Sequence, residues 1–287
     1  MVNKFILGTA NLENSYGKFS NYLNLKDFKK IINSPKNKPA YIDTSLNYKN
    51  VHKILSKINL GNIKIITKIS IPIKKNINPE NWIFKNIRLI MKNLNVKSIY
   101  GVLIHNPSIF KKKELKDYII SLNKLKKKGI IKKTGFSVYN LKEANFLINN
   151  YDFNILQAPI NIIDQSFCET IFLNKLSKKK IQLHARSIFL QGILLSSDLE
   201  NDNYFKRWKN LWKNYYSWIE KNKISKLTAC LTFVKKKRYI SKIIIGVENQ
   251  KQFDQILSNK RANNLKFEKF LFQKNEQLIN PSKWKKI

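Results

Sequence analysis

Residues 41–68 read YIDTSLNYKNVHKILSKINLGNIKIITK. Two short apolar segments, 41–42 and 63–67, flank a longer stretch that has the residue spacing of a helix. Asp43 ends the first segment and Lys68 ends the second, so a charged side chain follows each apolar run. A strand, a helix and a second strand in this order are typical of a parallel βαβ unit.

The same unit recurs along the whole chain. Eight short runs rich in apolar and β-branched residues are predicted to be strands: 5–7, 41–42, 63–67, 100–104, 133–136, 155–157, 181–185 and 242–245. Helical patterns alternate with them near 25–33, 50–59, 79–94, 112–128, 141–150, 168–179, 204–234 and 249–259. This alternation predicts an α/β fold, a single-domain (β/α)8 TIM barrel. We expect the barrel to span residues 1–262 and the Lys-rich tail, residues 263–287, to pack on it.

Length and composition narrow the class of protein. The 287 residues are 43% hydrophobic, which is enough for a sizeable core. No run approaches the eighteen or so apolar residues of a membrane span, and the apolar start is too short for a secretory signal. Cys168 and Cys230 are the only cysteines and lack metal-ligand spacing. These features favour a reduced cytoplasmic protein that has no metal site and no membrane partner.

The net charge of +37 has two explanations. A basic chain can bind nucleic acid or another polyanion. Only five of the 55 basic residues are arginines, however, and asparagine and isoleucine are abundant as well. Lysine, asparagine and isoleucine share A/T-rich codons, and the lysines are dispersed over nearly all predicted helices. We therefore expect no specific nucleic-acid partner, while a nucleic-acid-binding protein remains an alternative hypothesis.

Four residue types with complementary chemistry follow the predicted strands. Asp43 and Tyr48 come after the second strand, Lys68 after the third, and His105 after the fourth. Barrels of this kind carry their chemistry at the carboxyl ends of the strands. An ammonium group stabilises a phenolate, a carboxylate holds the ammonium, and an imidazole can orient a carbonyl. The set therefore suits proton donation during reduction of an aldehyde or ketone.

The motif series resembles the aldo-keto reductase family, and in particular its bacterial branch. The resemblance rests on eight segments: LGTANLENSYG at 7–17, YIDTSLNY at 41–48, IITK at 65–68, LIHNP at 103–107, GFSVYN at 135–140, ILQAPINIIDQ at 155–165, ARSIFLQGILL at 185–195 and IIIGVENQKQF at 243–253. They occur in family order and cover nearly the whole chain. The branch is often found beside enzymes of nucleotide-sugar chemistry, which suggests a small carbonyl substrate of sugar type.

The resemblance implies catalytic roles for the four residues. Tyr48 corresponds to the general acid, Lys68 to its charged partner and Asp43 to the anchor of that lysine. His105 corresponds to the residue that hydrogen-bonds the substrate carbonyl.

The resemblance also implies a nicotinamide cofactor, usually NADPH, with NADH as the alternative. Ser137 and Gln157 resemble the pair that holds the nicotinamide carboxamide. Residues of the loop after strand seven resemble the pyrophosphate-binding segment: Arg186, Ser187, Leu190 and Gly192. Gly246 and Gln252, after strand eight, resemble the segment that reaches the adenosine phosphate. The chain has no strand-following G-x-G-x-x-G motif, consistent with cofactor binding outside a Rossmann fold.

Three positions depart from the family pattern. KNVH follows Tyr48 where Y-G-x-S-E is usual, Val138 stands where many members have asparagine, and Gln252 lies near the place of an arginine that clamps the 2′-phosphate. These departures keep open the choice between NADPH and NADH. They also keep open a non-catalytic, cofactor-binding barrel. The remaining histidines, His52 on a predicted surface helix and His184 inside strand seven, are expected to be structural.

Overall fold

Eight parallel strands close into one barrel in the computed structural model, which describes residues 4–13, 21–48, 50–72, 77–107 and 112–284. The strands are β1 Phe5–Gly8, β2 Tyr41–Asp43, β3 Lys64–Ile69, β4 Ile99–Ile104, β5 Ile131–Ser137, β6 Ile155–Pro159, β7 Gln182–Arg186 and β8 Ile240–Ile245. Each strand pairs with the next in the chain, and β8 pairs with β1. The predicted barrel is confirmed, and all eight predicted strands are present within a few residues of their expected bounds.

Helices surround the barrel. They are α1 Leu25–Ile32, α2 Val51–Leu55, α3 Pro79–Leu94, α4 Lys112–Lys127, α5 Leu141–Asn150, α6 Thr170–Lys178, α7 Lys209–Lys221, α8 Lys226–Lys236, α9 Gln250–Ser258 and α10 Glu276–Ile279. None of the helices in the described ranges is long and apolar enough to span a bilayer.

The single helix predicted over 204–234 is wrong, because the segment forms two helices. Lys223 takes a left-handed backbone conformation (φ 50°) just after α7. Ser225 then caps α8, its side chain accepting a hydrogen bond from the backbone N–H of Thr228 at 3.0 Å. A left-handed residue ends a helix, and a serine cap begins a new one.

Asparagine, which is abundant in this chain, begins several of the helices. Asn24, Asn78, Asn140 and Asn249 each accept a hydrogen bond from the backbone N–H three residues later, at 2.8–2.9 Å. Such a bond satisfies one of the N–H groups that a helix start leaves without a partner. The caps fix where each helix leaves the loop above the barrel.

The interior of the barrel changes from apolar to charged along its axis. A buried cluster fills its middle, made of Ile6, Tyr41, Ile66, Leu103 and Ile155. Alternate residues of a strand face the same side, so Asp43 follows Tyr41 and Lys68 follows Ile66 on the inner wall. Both charged residues are buried. The charged end of the interior therefore lies at the carboxyl ends of the strands.

The described part of the tail packs against the body of the protein. The backbone N–H of Gln273 donates to the Ile163 carbonyl at 3.0 Å, and the Tyr204 hydroxyl donates to the Gln277 carbonyl at 2.9 Å. Trp284 meets Phe205 edge to face, with ring centroids 5.0 Å apart. The division of the chain at residue 262 stays a prediction.

The sequence predicts the position of one of the two structural histidines correctly and that of the other wrongly. His184 lies inside β7 and is fully buried, and burial is the main cause that lowers its pKa to about 3. The surface position expected for His52 is wrong, because this side chain is 7% exposed and burial lowers its pKa to about 4. Both imidazoles are therefore neutral at neutral pH.

We expect Gly135→Ala to destabilise the barrel by about 3 kcal/mol, because overpacking a rigid core is costly. A Cβ atom at Gly135, in β5, would lie 2.0 Å from the backbone oxygen of Ile155 in β6. The matched control is Gly101→Ala, whose Cβ would meet only side-chain atoms of Ile155 and Ile66, at 3.2 Å and 3.4 Å. Denaturant unfolding measures both. Equal losses of stability in the two variants would contradict the packing argument.

Candidate active site

A cavity of about 660 Å³ opens at the carboxyl ends of the strands. Its lining includes the four predicted catalytic residues: Asp43, Tyr48, Lys68 and His105. It also includes seven of the eight predicted cofactor-binding residues: Ser137, Gln157, Arg186, Ser187, Gly192, Gly246 and Gln252. The exception is Leu190, whose side chain is fully buried in the apolar core. Eleven of the twelve predicted site residues therefore meet around one cavity.

A buried ion pair occupies the centre of the cavity floor. The Lys68 ammonium donates a hydrogen bond to Asp43 Oδ2, and the two residues are 2% and 3% exposed. Asp43 Oδ1 accepts a second hydrogen bond from Gln157 Nε2 at 2.9 Å. Burial lowers the pKa of Lys68, the Asp43 carboxylate opposes this by attraction, and the positive charge of Arg186 lowers it further. Lys68 is thus an almost fully buried cation that is held by one carboxylate.

Tyr48 lies beside this ion pair. Lys68 Nζ is 5.4 Å from the centroid of the Tyr48 ring. Two residues after the tyrosine, Asn50 adopts the left-handed conformation (φ 58°) that asparagine tolerates. α2 begins at the next residue. The preceding Lys49 lies outside the described residues.

His105 is a neutral imidazole at the edge of the same cavity. Its backbone N–H donates to the Ile69 carbonyl at 2.9 Å, which fixes the residue directly after β4. Burial first, and then the positive charges of Lys68 and Arg186, lower the pKa of His105 to about 3. A neutral imidazole can donate or accept a hydrogen bond near the Lys68 cation without adding a second charge.

Ser45 is a site residue that sequence reasoning missed. Its hydroxyl is 3.4 Å from His105 Nδ1 and 3.3 Å from the Lys68 carbonyl oxygen. It is fully buried, within the YIDTSLNY segment and two residues after Asp43. The signal available in the sequence was a small polar residue in a loop that follows a strand end. Ser45 joins the loop after β2 to β3 and to the imidazole.

Arg186, at the end of β7, brings a second cation to the cavity. Its Nη2 donates to the Val138 carbonyl at 3.0 Å, and its guanidinium carbon lies 4.4 Å from the Tyr139 ring centroid. Val138 itself is buried, so it contributes a backbone carbonyl here. The Nε atom of Arg186 is buried and has no hydrogen-bond partner within the described part of the chain. This guanidinium can therefore donate a further hydrogen bond to an anionic or polar partner.

The loop after β7 has an unusual backbone. Ser187, Leu190 and Gln191 have φ values of 55°, 46° and 52°, and Gly192 has φ 91°. Non-glycine residues rarely adopt this conformation, and strained positions of this kind cluster at ligand sites. The buried Leu190 side chain anchors the loop in the core, while Ser187, Gln191 and Gly192 line the cavity.

The side of the cavity beyond β8 carries a carboxylate that sequence reasoning also missed. Glu248 lines the cavity next to Gln252, at the start of α9. Gln252 Nε2 donates to Glu248 Oε2 at 3.1 Å, and the Glu248 backbone N–H donates to Gln252 Oε1 at 2.9 Å. The two side chains are therefore bound to each other at this edge. Among the described residues, no group of three or more histidine, cysteine, aspartate or glutamate side chains could hold a metal ion.

A parallel (β/α)8 barrel with an ionisable cluster at the carboxyl ends of its strands defines a broad class of enzymes. The match to a family narrows this class. The aldo/keto reductase family model matches residues 4–277, and the chain belongs to this family. It is an NAD(P)-dependent oxidoreductase of the aldo-keto reductase type, and the family acts on small carbonyl compounds.

Solved structures support the fold. An aldo-keto reductase from Bacillus halodurans, in its holo form, superposes with a TM-score of 0.67 at 15% identity, covering 91% of this chain and 88% of that chain. The glycerol dehydrogenase from Gluconobacter oxydans superposes with a TM-score of 0.61 at 16% identity, covering 92% and 94%. A comparison with curated protein sequences found no match.

We expect Asp43→Asn to reduce the free energy of unfolding by about 3–5 kcal/mol, because it leaves the buried Lys68 cation without its counter-charge. The matched control is Glu80→Gln, which breaks the half-exposed pair between Glu80 and Lys124 and should cost at most about 1 kcal/mol. Denaturant unfolding at neutral pH compares the two variants. If Asp43→Asn is as mild as the control, Lys68 is not a buried cation.

Proposed function

We propose that this protein reduces an aldehyde or ketone, with Tyr48 as the proton donor and Lys68, Asp43 and His105 as its catalytic partners. The observation that carries the proposal is the buried Lys68–Asp43 pair beside the Tyr48 ring. A buried cation is energetically costly unless a counter-charge and hydrogen bonds compensate for its removal from water. The Lys68 cation lies beside Tyr48, where it would stabilise the phenolate that forms when the tyrosine loses its proton.

Each side chain around the cavity has a separate role in protonating and orienting the substrate carbonyl. Tyr48 donates its hydroxyl proton to the carbonyl oxygen, and Lys68 stabilises the phenolate that remains. Asp43 keeps Lys68 in place, and Gln157 in turn holds Asp43. His105 is neutral, so it can hydrogen-bond the carbonyl oxygen and orient it without competing for the proton.

The residues around the cavity fit a nicotinamide dinucleotide. When bound, this cofactor supplies the hydride that the protein side chains lack. We assign its carboxamide to Ser137 and Gln157. Because Gln157 Nε2 is engaged by Asp43, Gln157 Oε1 is the group left for this contact. The family resemblance predicts NADPH for this site.

We assign the pyrophosphate to Arg186 and the loop from Ser187 to Gly192. The unpartnered Nε of Arg186 and the left-handed loop that lines the cavity support the assignment of an anion to this place. Leu190 anchors that loop and makes no contact with the cavity. Gly246 and the start of α9 then face the second nucleotide. Small carbonyl compounds, including those of sugar type, are the proposed substrates.

We expect Tyr48→Phe to lower the turnover of carbonyl compounds at least about 100-fold, because general acid catalysis contributes roughly that much or more. Cofactor affinity should change little, since the variant keeps the ring. The measurement is loss of reduced-nicotinamide absorbance over a panel of aldehydes, ketones and sugar-type carbonyls. The matched control is Tyr100→Phe, at the opposite end of the barrel from the cavity.

Two outcomes would count against this proposal. Equal turnover in Tyr48→Phe and the wild type would remove Tyr48 from the mechanism. Tight cofactor binding by the wild type without turnover of any carbonyl on the panel would support the non-catalytic barrel instead.

A further inference from the structure

The cavity continues from the catalytic residues to the opposite side of the barrel. Asp43, Lys68 and His105 belong to β2, β3 and the end of β4, whereas the far lining comes from the first turns of α8 and α9, which flank β8. In a closed ring of eight strands, β3 and β7 face each other. An extended dinucleotide with its reactive ring beside Tyr48 therefore carries its second nucleotide toward the start of these helices.

The start of α9 presents a fixed carboxylate at this end. Glu248 Oε1 accepts a hydrogen bond from the backbone N–H of Asn21 at 2.8 Å, and Glu248 Oε2 accepts one from Gln252 Nε2 at 3.1 Å. These bonds hold the carboxylate from two directions, from the loop after β1 and from α9 itself. The carboxylate is thus a fixed part of the cavity wall.

Two of the backbone donors at this end are already engaged within the protein. A helix start attracts phosphate through its free N–H groups. In α9 the N–H of Gln252 donates to Asn249 Oδ1 at 2.9 Å, and the N–H of Glu248 donates to Gln252 Oε1 at 2.9 Å. These two N–H groups are therefore not free to bind a phosphate.

Lys226, the cation at the start of α8, contacts groups other than Glu248. Its Nζ donates to the Ser196 carbonyl at 2.6 Å and lies 4.7 Å from the Tyr216 ring centroid. Burial lowers the pKa of Lys226, which weakens its hold on a proton. Within the described ranges, no lysine or arginine forms an ion pair with Glu248. The Glu248 carboxylate is therefore not neutralised by direct contact with a described cation.

We propose that the site selects NADH over NADPH, and that Glu248 is the residue responsible. The inference rests on the proposed function and departs from the NADPH that the family resemblance predicts. A ribose diol donates hydrogen bonds to a carboxylate, as acidic residues do for NAD in other folds. A 2′-phosphate would instead bring a second anion against Glu248, which is unfavourable.

The test is titration of intrinsic protein fluorescence with NADH and with NADPH, which requires no turnover. At about 0.15 M salt the Debye length is ~8 Å, so the dispersed lysines, which attract both cofactors, are largely screened. The wild type should bind NADH at least about tenfold more tightly than NADPH, a difference of about 1.4 kcal/mol.

Glu248→Gln keeps the size of the side chain and removes its charge. It should tighten NADPH binding about tenfold and leave NADH binding equal or slightly weaker. The matched control is Glu220→Gln, an equal change of charge at an exposed position of α7 outside the cavity. It should leave the ratio of the two dissociation constants unchanged.

Each remaining result has a definite meaning. A wild type that binds NADPH as tightly as NADH, or a Glu248→Gln variant with an unaltered ratio, overturns the inference and leaves the proposed function intact. A wild type that binds neither cofactor overturns the proposed function as well. If Glu248→Gln does not fold, Gln255→Glu adds a carboxylate to the same wall at an exposed helix position and should widen the NADH preference. An unchanged ratio there also contradicts the inference.

Discussion

The structure depends on one costly arrangement, a lysine ammonium buried at the mouth of the barrel. Removing a charge from water is unfavourable, and a single well-placed carboxylate compensates only when the remaining polar groups are also satisfied. Asp43 meets this condition because one of its oxygens binds Lys68 and the other binds Gln157. The strands that carry these residues are held in register by the closed barrel. The fold thus stabilises a buried charge that an ordinary apolar core would exclude.

The charge of Lys68 organises the rest of the site. With Arg186 it adds to the effect of burial on His105 and keeps that imidazole neutral. The two cations also make the barrel mouth attractive to the anionic parts of a dinucleotide. Glu248, beyond β8, has the opposite effect at the far end of the cavity. In the cofactor orientation that we propose, the cations face the pyrophosphate and Glu248 faces the ribose of the second nucleotide.

Much of this arrangement was predictable from sequence because local and global signals agree. Short β-branched runs ended by Asp43 and Lys68 identify both the strands and the end of the barrel that carries chemistry. Other features depend on tertiary context. The break between α7 and α8 occurs at Lys223, which has a left-handed backbone conformation. Lysine is common inside helices, so the sequence does not predict a helix end there. The burial of His52 and the anchoring role of Leu190 arise from contacts between distant segments.

The most direct test of the account is the protonation state of Lys68 in the folded protein. Nitrogen NMR of the lysine ammonium groups, assigned with Lys68→Met, would follow this group as the pH is raised. The account predicts that Lys68 is charged at pH 7 and loses its proton at lower pH than exposed lysines do, since burial lowers its pKa. Carbonyl reduction should then fall with the same midpoint. A neutral Lys68 amine at pH 7 would contradict the account.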